Sequence, residues 1–321
     1  MTIHALLALL ADGEIHSGQS IASALGVSRT AVWKQIKRVQ AEGYEVEKIR
    51  GHGYRLVKSI DFLSGPRILA GLPPQISDRI LLQIFSETDS TNTEVSRMLV
   101  AAEPGQIPVC MANRQSAGRG RHGRVWQSPG DDNIYLSLGC RLAGGYSALD
   151  GLSLVVGVSL VEALRALGVP HLALKWPNDL LLNGAKLAGV LIELRGELEG
   201  AVQVVVGVGL NVHMQGQQDI DQTWTSLAQA CPERRWVRNE IAAGLITALT
   251  ANIDAFAERG FGAFREAWQS LDVFSGCAVS SSSGELSGIG RGVDDAGNYL
   301  IEGSGGIEAV RAGELSLRAA S

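Results

Sequence analysis

Cysteine is scarce in this 321-residue sequence, and long apolar runs are missing from it. The four cysteines form no CxxC pair, which argues against a structural zinc site or a disulfide framework and favours a reducing cytoplasm. No apolar run approaches the roughly 20 residues that span a bilayer, and no basic segment opens the chain as in a secretory signal. A P-loop, an HExxH motif and a nucleophile elbow are also missing, and the six histidines are scattered. We therefore expect a cytoplasmic protein without a membrane partner, and we assign no metal ligands.

Charge is distributed unevenly along the chain. The first sixty residues contain eight Lys and Arg against five Asp and Glu, although the whole chain has a net charge of -5. A basic module at the N-terminus of an acidic body predicts that a polyanion binds this module alone. The length suggests two or three domains of about 100–200 residues each, and the 45% hydrophobic content supports a sizeable core.

Residues 1–62 are predicted to form a winged helix-turn-helix domain that binds DNA. Apolar spacing predicts three short helices, the third from Arg29 to Ala41, and alternation then predicts a hairpin over residues 44–56. In this layout the third helix enters the major groove while Lys and Arg contact phosphates. A protein-interaction module with a solvated basic face is the alternative. The predicted DNA contacts are Ser28, Arg29, Thr30, Trp33, Lys34, Lys37 and Arg38.

The rest of the chain is predicted as a mixed α/β domain over residues 63–272 and a small β-barrel or sandwich over residues 273–321. A proline-containing connector is expected over residues 59–80. Further along, the pattern predicts an apolar helix from Leu152 to Leu167, a three-stranded antiparallel meander over residues 173–212 with a hairpin at Asn183-Gly184, a turn at Gly196 to Gly200, and helix over residues 239–270.

The stretch from Gln115 to Trp126 is the most informative. Its glycines spell GxGxxG, but no apolar helix comes after them, so a dinucleotide-binding Rossmann site is not predicted. Glycines let the backbone approach a ligand closely, and Arg119 and Arg121 would share one face of an extended loop. Because a planar guanidinium group pairs well with phosphate, we predict a flexible loop that wraps an anion. The alternative is a solvated basic loop tip.

Four further segments each have two interpretations. Residues 89–93 either cap a helix or offer hydrogen bonds to a neutral polar group. Residues 175–180 form either a packed strand corner or a site in which Asp179 binds a metal, orients a lysine or acts as a base. Lys186, at the start of an apolar strand, either points into a cleft to meet an anion or protects an edge strand. Asn211 either contacts a ligand beside two glycines or simply ends a strand.

In this order, after a winged helix and before a small β domain, these segments resemble the bifunctional biotin–protein ligase and biotin operon repressor family over essentially the whole chain. The combination of GRGR, KWPND and KLAG is highly specific, and the winged helix marks the regulatory subclass. The matching motifs are Asp89-Ser90-Thr91-Asn92, Gln115 through Trp126, Lys175-Trp176-Pro177-Asn178-Asp179, Lys186 through Glu193, and Gly207-Val208-Gly209-Leu210-Asn211.

The resemblance implies an α+β, multidomain architecture with a central domain like that of class II aminoacyl-tRNA synthetases and a C-terminal SH3-like β-barrel. It also implies a two-step reaction. Biotin and ATP with Mg²⁺ give biotinyl-5′-AMP, and the adenylate then acylates one lysine of a biotin carboxyl carrier protein domain. The adenylate is at the same time the corepressor with which a homodimer binds operator DNA.

The resemblance also assigns residues. Lys186 lies between the biotin carboxylate and the α-phosphate, Arg119 and Arg121 hold the loop over both, and Asp179 contacts a metal or the acceptor lysine. Residues 214–223 match the family's adenine-binding loop in position only. The other implied binding residues are Ser90, Thr91, Asn92, Gln115, Gly118, Gly120, Trp126, Lys175, Gly189, Asn211, Trp224 and Arg318.

Two other functions stay open from the sequence. A lipoate–protein ligase shares the acyl-adenylate chemistry but normally lacks the winged helix and this form of KWPND and KLAG. A non-catalytic, ligand-responsive repressor would only sense a metabolite. Lys186 and the loop arginines argue against such a sensor, because a neutral ligand needs no phosphate-binding cations.

Overall fold

The computed structural model of the protein describes residues 3–41, 44–57, 61–195, 201–216, 220, 222–281, 286–311 and 317–319. For residues 3, 4, 8 and 317–319 only the backbone is described. The chain divides into two compact units, Met1–Leu63 and Ser64–Ser321. A further division of the second unit at residue 273 stays a prediction.

The first unit contains the three helices and the hairpin that its pattern predicts. Val32, Ile36 and Val39 of the third helix are buried at helical spacing and pack against the other two helices and the hairpin. Ser17 and Ser28 cap the second and third helices, since their hydroxyls accept hydrogen bonds from Ser20 N at 3.0 Å and Ala31 N at 3.2 Å. The elements are α1 (Ile3–Leu10), α2 (Gly18–Leu25), α3 (Arg29–Ala41), β1 (Val46–Ile49) and β2 (Gly53–Leu56).

The second unit is built around a seven-stranded mixed sheet. Its strand order is β3-β4-β5-β9-β8-β7-β6, and among these pairs only β3 and β4 are parallel. The Asn183-Gly184 hairpin is confirmed, with both residues at positive φ as a type I′ turn requires. The strands are β3 (Ile80–Thr88), β4 (Ile107–Gln115), β5 (Ile134–Leu142), β6 (Leu172–Lys175), β7 (Asp179–Leu182), β8 (Ala185–Arg195) and β9 (Val202–Leu210).

Helices cover both faces of this sheet. One helix, α6, lies on β4, β5 and β9, while α7 and α9 pack together on the other face. The segments Tyr146–Ala166 and Arg238–Arg259 are long and apolar enough to cross a membrane by length and composition alone, and here they supply buried core residues. The helices are α4 (Gly65–Ala70), α5 (Pro74–Ser77), α6 (Thr91–Ala101), α7 (Leu152–Ala166), α8 (Leu227–Ala230), α9 (Arg238–Arg259) and α10 (Arg265–Gln269).

Two expectations for this unit are wrong, and a third is confirmed only in part. The connector predicted over residues 59–80 contains α4 and α5, because Pro66 and Pro74 occupy first-turn positions where the missing N–H costs nothing. The meander has four strands, since β6 pairs with β7. Residues 239–270 are helical as predicted, but the helix is interrupted: α9 ends at Arg259, Gly260 takes a positive φ of 67°, and helix resumes in α10. The turn predicted at residues 196–200 lies outside the described residues.

The last described strands form a five-stranded antiparallel sheet in the order β13-β12-β11-β10-β14. An aromatic cluster joins it to the rest of the unit, where Tyr299 packs against Trp176, Trp268 and Phe274. The Tyr299 hydroxyl donates to Asp272 at 2.8 Å, and burial raises the pKa of that carboxyl. The strands are β10 (Ala278–Ser281), β11 (Ser287–Val293), β12 (Tyr299–Gly303), β13 (Gly306–Val310) and β14 (Leu317–Ala319).

A fully buried arginine connects the start of α9 to the loop before β5. The guanidinium group of Arg238 donates to the Asn133 carbonyl at 3.1 Å and to Asn113 Oδ1 at 3.2 Å, and it lies 3.8 Å from Asp131. A buried charge is costly without such partners, so this network fixes the register of α9 against the sheet.

We predict that Arg238→Met lowers the free energy of unfolding by about 3 kcal/mol, because it leaves two buried acceptors without their donor and removes the cation that lies 3.8 Å from Asp131. Urea denaturation followed by circular dichroism measures the change. The exposed Arg235 offers a matched control, and Arg235→Met should change the value by less than about 0.5 kcal/mol. Equal effects of the two substitutions would contradict the structural role of Arg238.

Candidate functional site

A cavity of about 750 Å³ opens at one edge of the seven-stranded sheet. Segments that are far apart in sequence meet around it, as the motif analysis predicts. Of the predicted ligand-contacting residues, Gly118 does not line the cavity, and the side chain of Arg318 lies outside the described residues. Those that line it are Ser90, Thr91, Asn92, Gln115, Arg119, Gly120, Arg121, Trp126, Lys175, Asp179, Lys186, Gly189, Asn211 and Trp224.

One end of the cavity is a network of neutral polar side chains, which we call the amide end (Ser90, Thr91, Asn92, Gln115 and Ser137). Ser137 Oγ lies 2.7 Å from Thr91 Oγ1 and 2.6 Å from Asn92 Oδ1, and Gln115 Oε1 accepts from Thr91 N at 2.9 Å. These groups are buried or partly buried in the fixed frame of α6, β4 and β5. Ser90 occupies the N-cap position of α6, as the capping interpretation predicts, although its side chain makes no cap hydrogen bond.

Residues 118–126, the arginine loop, fold back on themselves beside the amide end. Gly120 N donates to Arg124 O at 2.7 Å, and Trp126 N donates to Gly118 O at 2.9 Å. A Cβ atom at Gly118 would come within 2.6 Å of Trp126 O, so the close approach of the two loop arms requires glycine there. The role of Gly118 is therefore to shape the loop.

The two arginines of GRGR have different partners. Arg119 pairs with Glu193 at 3.1 Å, whereas Arg121 is half-buried and lies 3.5 Å from Asn178 Oδ1. Burial lowers the pKa of Arg121, and the carboxylate of Asp179 opposes that shift. The expectation of an extended loop is wrong here, because Arg121 begins a single 3-10 turn. Both guanidinium groups nevertheless line the cavity.

Lys186 extends into the cavity, as one of its two interpretations predicts. Its Nζ atom lies 2.8 Å from Asp179 Oδ1 and 5.5 Å from the centre of the Trp126 ring, and both charged side chains are largely shielded from solvent. Asp179 thus holds the lysine. Across the described ranges, no group of three or more His, Cys, Asp or Glu residues could hold a metal ion.

The indole of Trp126 lies flat against two glycines on neighbouring strands. A Cβ atom at Gly209 would come within 2.4 Å of this ring, and one at Gly189 within 2.9 Å. At Gly207 a Cβ would approach Asn92 Oδ1 to 2.3 Å. Gly207 and Gly209 both line the cavity, and Asn92 and Trp126 approach them so closely that no side chain fits at either position.

The wall opposite the amide end consists of residues after β9. Lys186 N donates to Thr223 O at 3.0 Å and Thr225 N donates to Lys186 O at 2.9 Å, which places Trp224 beside the lysine. Asn211 is buried and its Nδ2 atom donates to Thr225 O at 3.0 Å. Asn211 therefore holds this segment in place. Part of the predicted loop over residues 214–223 lies outside the described residues.

Sequence patterns miss three residues of the site. Glu193 accepts from Asn92 Nδ2 at 2.9 Å as well as from Arg119, and thereby joins the amide end to the arginine loop. Asn178 anchors Arg121 and donates to Val190 O at 2.7 Å. Ser137 organises the amide end. A lone polar residue within a buried strand was the available signal for Ser137, because such a group needs a hydrogen-bond partner.

In the first unit, the seven residues predicted to contact DNA are all exposed. They include the side chain of Trp33, which is 50% exposed. A large exposed aromatic side chain among cations on one helix is typical of a binding surface.

Comparisons with known proteins match both units. A profile described as the biotin/lipoate A/B protein ligase family matches residues 84–211, and one described as an HTH domain matches residues 2–55. The chain is 39% identical over 319 residues to the bifunctional ligase/repressor BirA of Escherichia coli (strain K12), covering 98% of this chain and 97% of that protein. It is 32% identical over 314 residues to the bifunctional ligase/repressor BirA of Bacillus subtilis (strain 168), covering 96% and 95%.

The fold also matches a solved structure. The biotin protein ligase from Aquifex aeolicus in complex with biotin and ATP superposes with a TM-score of 0.65 at 30% sequence identity. The match covers 74% of this chain and 99% of that chain.

Proposed function

The chain belongs to the biotin/lipoate A/B protein ligase family, in its branch of bifunctional ligases and repressors, and from this premise we propose that it activates biotin with ATP and transfers biotin to a carrier lysine. In the first step a biotin carboxylate oxygen attacks the α-phosphorus of ATP, and pyrophosphate leaves. In the second step the ε-amine of a lysine in a biotin carboxyl carrier domain attacks the carbonyl of biotinyl-5′-AMP, and AMP leaves.

The observation that supports this proposal is the position of Lys186. The first step brings two anions together, so a cation aimed at the developing charge supplies the main stabilisation. Lys186 is largely shielded from solvent, is oriented by Asp179 at 2.8 Å, and has Arg121 and Trp224 lining the same cavity. A sensor of a neutral metabolite has no use for such a cluster.

The amide end favours biotin over lipoate. Thr91, Asn92 and Gln115 line the cavity and offer donors and acceptors in a frame that the buried Ser137 helps to fix, which suits a planar ureido group. The dithiolane of lipoate offers no comparable partners, so buried polar groups would stay unpaired against it. A lipoate–protein ligase is therefore the second candidate, to be judged by the same assay.

We propose that Mg²⁺ binds to the protein together with ATP. Mg²⁺ keeps several waters and is commonly bound by substrate phosphates with one or two carboxylates. Asp179 is the candidate carboxylate, although its partner in this structure is Lys186.

We also propose a cytoplasmic location, three domains over residues 1–62, 63–272 and 273–321, and an SH3-like barrel for the last of them. The five-stranded antiparallel sheet supports the barrel, and Arg318 on its last strand is proposed to contact the nucleotide. The adenylate-loaded protein is proposed to dimerise and to bind operator DNA through α3.

Incubation with labelled biotin, ATP and Mg²⁺ is predicted to yield labelled adenylate and pyrophosphate, and Lys186→Ala should slow adenylate formation at least about 100-fold. The reason is that the α-phosphate loses its closest cation. The exposed Lys48 of the first unit provides a control, and Lys48→Ala should leave the rate unchanged. Labelling with lipoate in place of biotin would favour the second candidate, and no acyl-adenylate with either acid would refute the ligase activity.

Arg121→Gly is predicted to leave the fold intact but to release the adenylate into solution. The closed arginine loop keeps water and bystander amines from a reactive anhydride, and Arg121 provides its contact with Asn178. The measurement is biotin labelling of an unrelated lysine-rich protein added to the reaction. Retention of the intermediate as tight as in the wild type would show that the loop has another role.

Lys37→Ala is predicted to weaken DNA binding about equally for all sequences and to reduce the slope of log K against log salt by about 0.9. The probes are duplexes that the wild-type protein selects from a random pool in the presence of biotin and ATP. Arg67→Ala removes an exposed cation from the second unit and should change neither quantity. An unchanged salt slope in the Lys37 variant would contradict phosphate contact by α3.

A further inference from the structure

A buried asparagine just before β5 contacts the wall that includes Trp224. We call residues 212–216 and 222–224 the rear wall. Asn133 is fully buried, its Oδ1 atom accepts from Val212 N at 2.9 Å, and its Nδ2 atom lies 3.4 Å from Met214 Sδ. Met214 lines the cavity. One side chain therefore contacts the first and third residues of the rear wall.

Asn133 is itself held rigidly. Its carbonyl accepts from Arg238 at 3.1 Å, and its Nδ2 donates to Tyr135 Oη at 3.2 Å. Burial raises the pKa of Tyr135, so the hydroxyl stays protonated and donates onward to Pro129 O at 2.9 Å. The fully buried Arg238 and Tyr135 thus fix the orientation of the Asn133 amide.

Hydrogen bonds hold the rear wall at both of its ends. At its start, His213 N donates to Asp132 O at 2.7 Å next to the Asn133 contacts. At its end, Lys186 and Asn211 hold Thr223 and Thr225. The hydrogen bonds at the end come from residues already placed in the site, whereas Asn133 at the start is not among the residues that line the cavity, and its partners described above belong to the wall and the core network.

We propose that Asn133 is a positioning residue for the nucleotide, and this inference rests on the proposed ligase function. By fixing Val212 and Met214, it holds the rear wall in the shape that faces the nucleotide part of ATP and of the adenylate. Without this fastening, nucleotide binding must first order the wall, and the entropy lost lowers the affinity. The amide end is held by α6, β4 and β5, so biotin affinity does not depend on Asn133.

Asn133→Ala is expected to raise KM for ATP about tenfold while KM for biotin and kcat change less than about twofold. Asn113→Ala is the matched control, because Asn113 is also buried and also binds Arg238 but does not contact the rear wall. Both substitutions should lower Tm, whereas only the first should change KM for ATP. If Asn133→Ala does not fold, Asn133→Ser removes less volume and has the same expected kinetic effect.

Hydrogen–deuterium exchange of the Val212 amide measures how firmly Asn133 holds the rear wall. This measurement does not depend on enzymatic activity. Exchange should become faster in Asn133→Ala and stay slow in Asn113→Ala, since only the former loses the acceptor of Val212 N. Equilibrium binding of a fluorescent ATP analogue should weaken in parallel. An unchanged Val212 amide, or equal loss of ATP affinity in both variants, would overturn the proposal. Wild-type protein that makes no acyl-adenylate would refute the ligase function instead, while the exchange and binding results still decide the role of Asn133.

Discussion

The ion pair between Lys186 and Asp179 lies beside an irregularity in the pairing of β7 and β8. The strands pair regularly from the hairpin as far as Leu181 and Lys186, and a bulge then shifts the register so that Asp179 lies opposite Gly189. A bulge inserts one extra residue, so the side chains beyond it point to the opposite face of the sheet. Lys186 and Gly189 therefore face the same side, three residues apart, and Asp179 on the neighbouring strand reaches the lysine. The bulge thus explains why the lysine and the glycine of KLAG, three residues apart, face the same side of the sheet.

This bulge also organises the surroundings of the lysine. Gly189 lacks a side chain, so the indole of Trp126 can lie against β8 and β9 while facing the ammonium group at 5.5 Å. The arginine loop is consequently anchored at its end, and its arginines reach Asn178 and Glu193 on either side. The lysine on β8 and the two arginines of the loop fixed over it together place positive charge along the cavity.

Local patterns predict the elements well where one residue type dictates the backbone. Asn183-Gly184 predicts a type I′ hairpin, and the apolar spacing of Val32, Ile36 and Val39 predicts α3 with its exposed basic face. The bulge after Leu180 leaves no such signal, because it arises from packing across strands. The partners of Gly207 and Gly209 were also beyond prediction, since Asn92 and Trp126 approach them from distant parts of the chain.

Proline also shows where sequence patterns fail, because here they miss helices that the structure contains. Pro66 and Pro74 suggest a connector without helices, yet each lies in the first turn of a short helix, because the position of a proline within a helix decides its effect. Glu193 looked like part of an apolar strand and instead joins two parts of the site. Motif order was therefore a better guide to the site than any single pattern.

The parallel pairing of β3 and β4 has an evolutionary consequence. Thr88 and Gln115 are paired, so both strands end at the same edge, and the chain leaves them side by side into the amide end and the arginine loop. Two backbone hydrogen bonds, from Ser116 N to Thr88 O at 2.9 Å and from Ala117 N to Asp89 O at 3.0 Å, keep the two segments together just beyond the strands. Side chains of these two segments can therefore change while the pairing of β3 with β4 stays the same, so this scaffold can diversify its substrate preference on a constant frame.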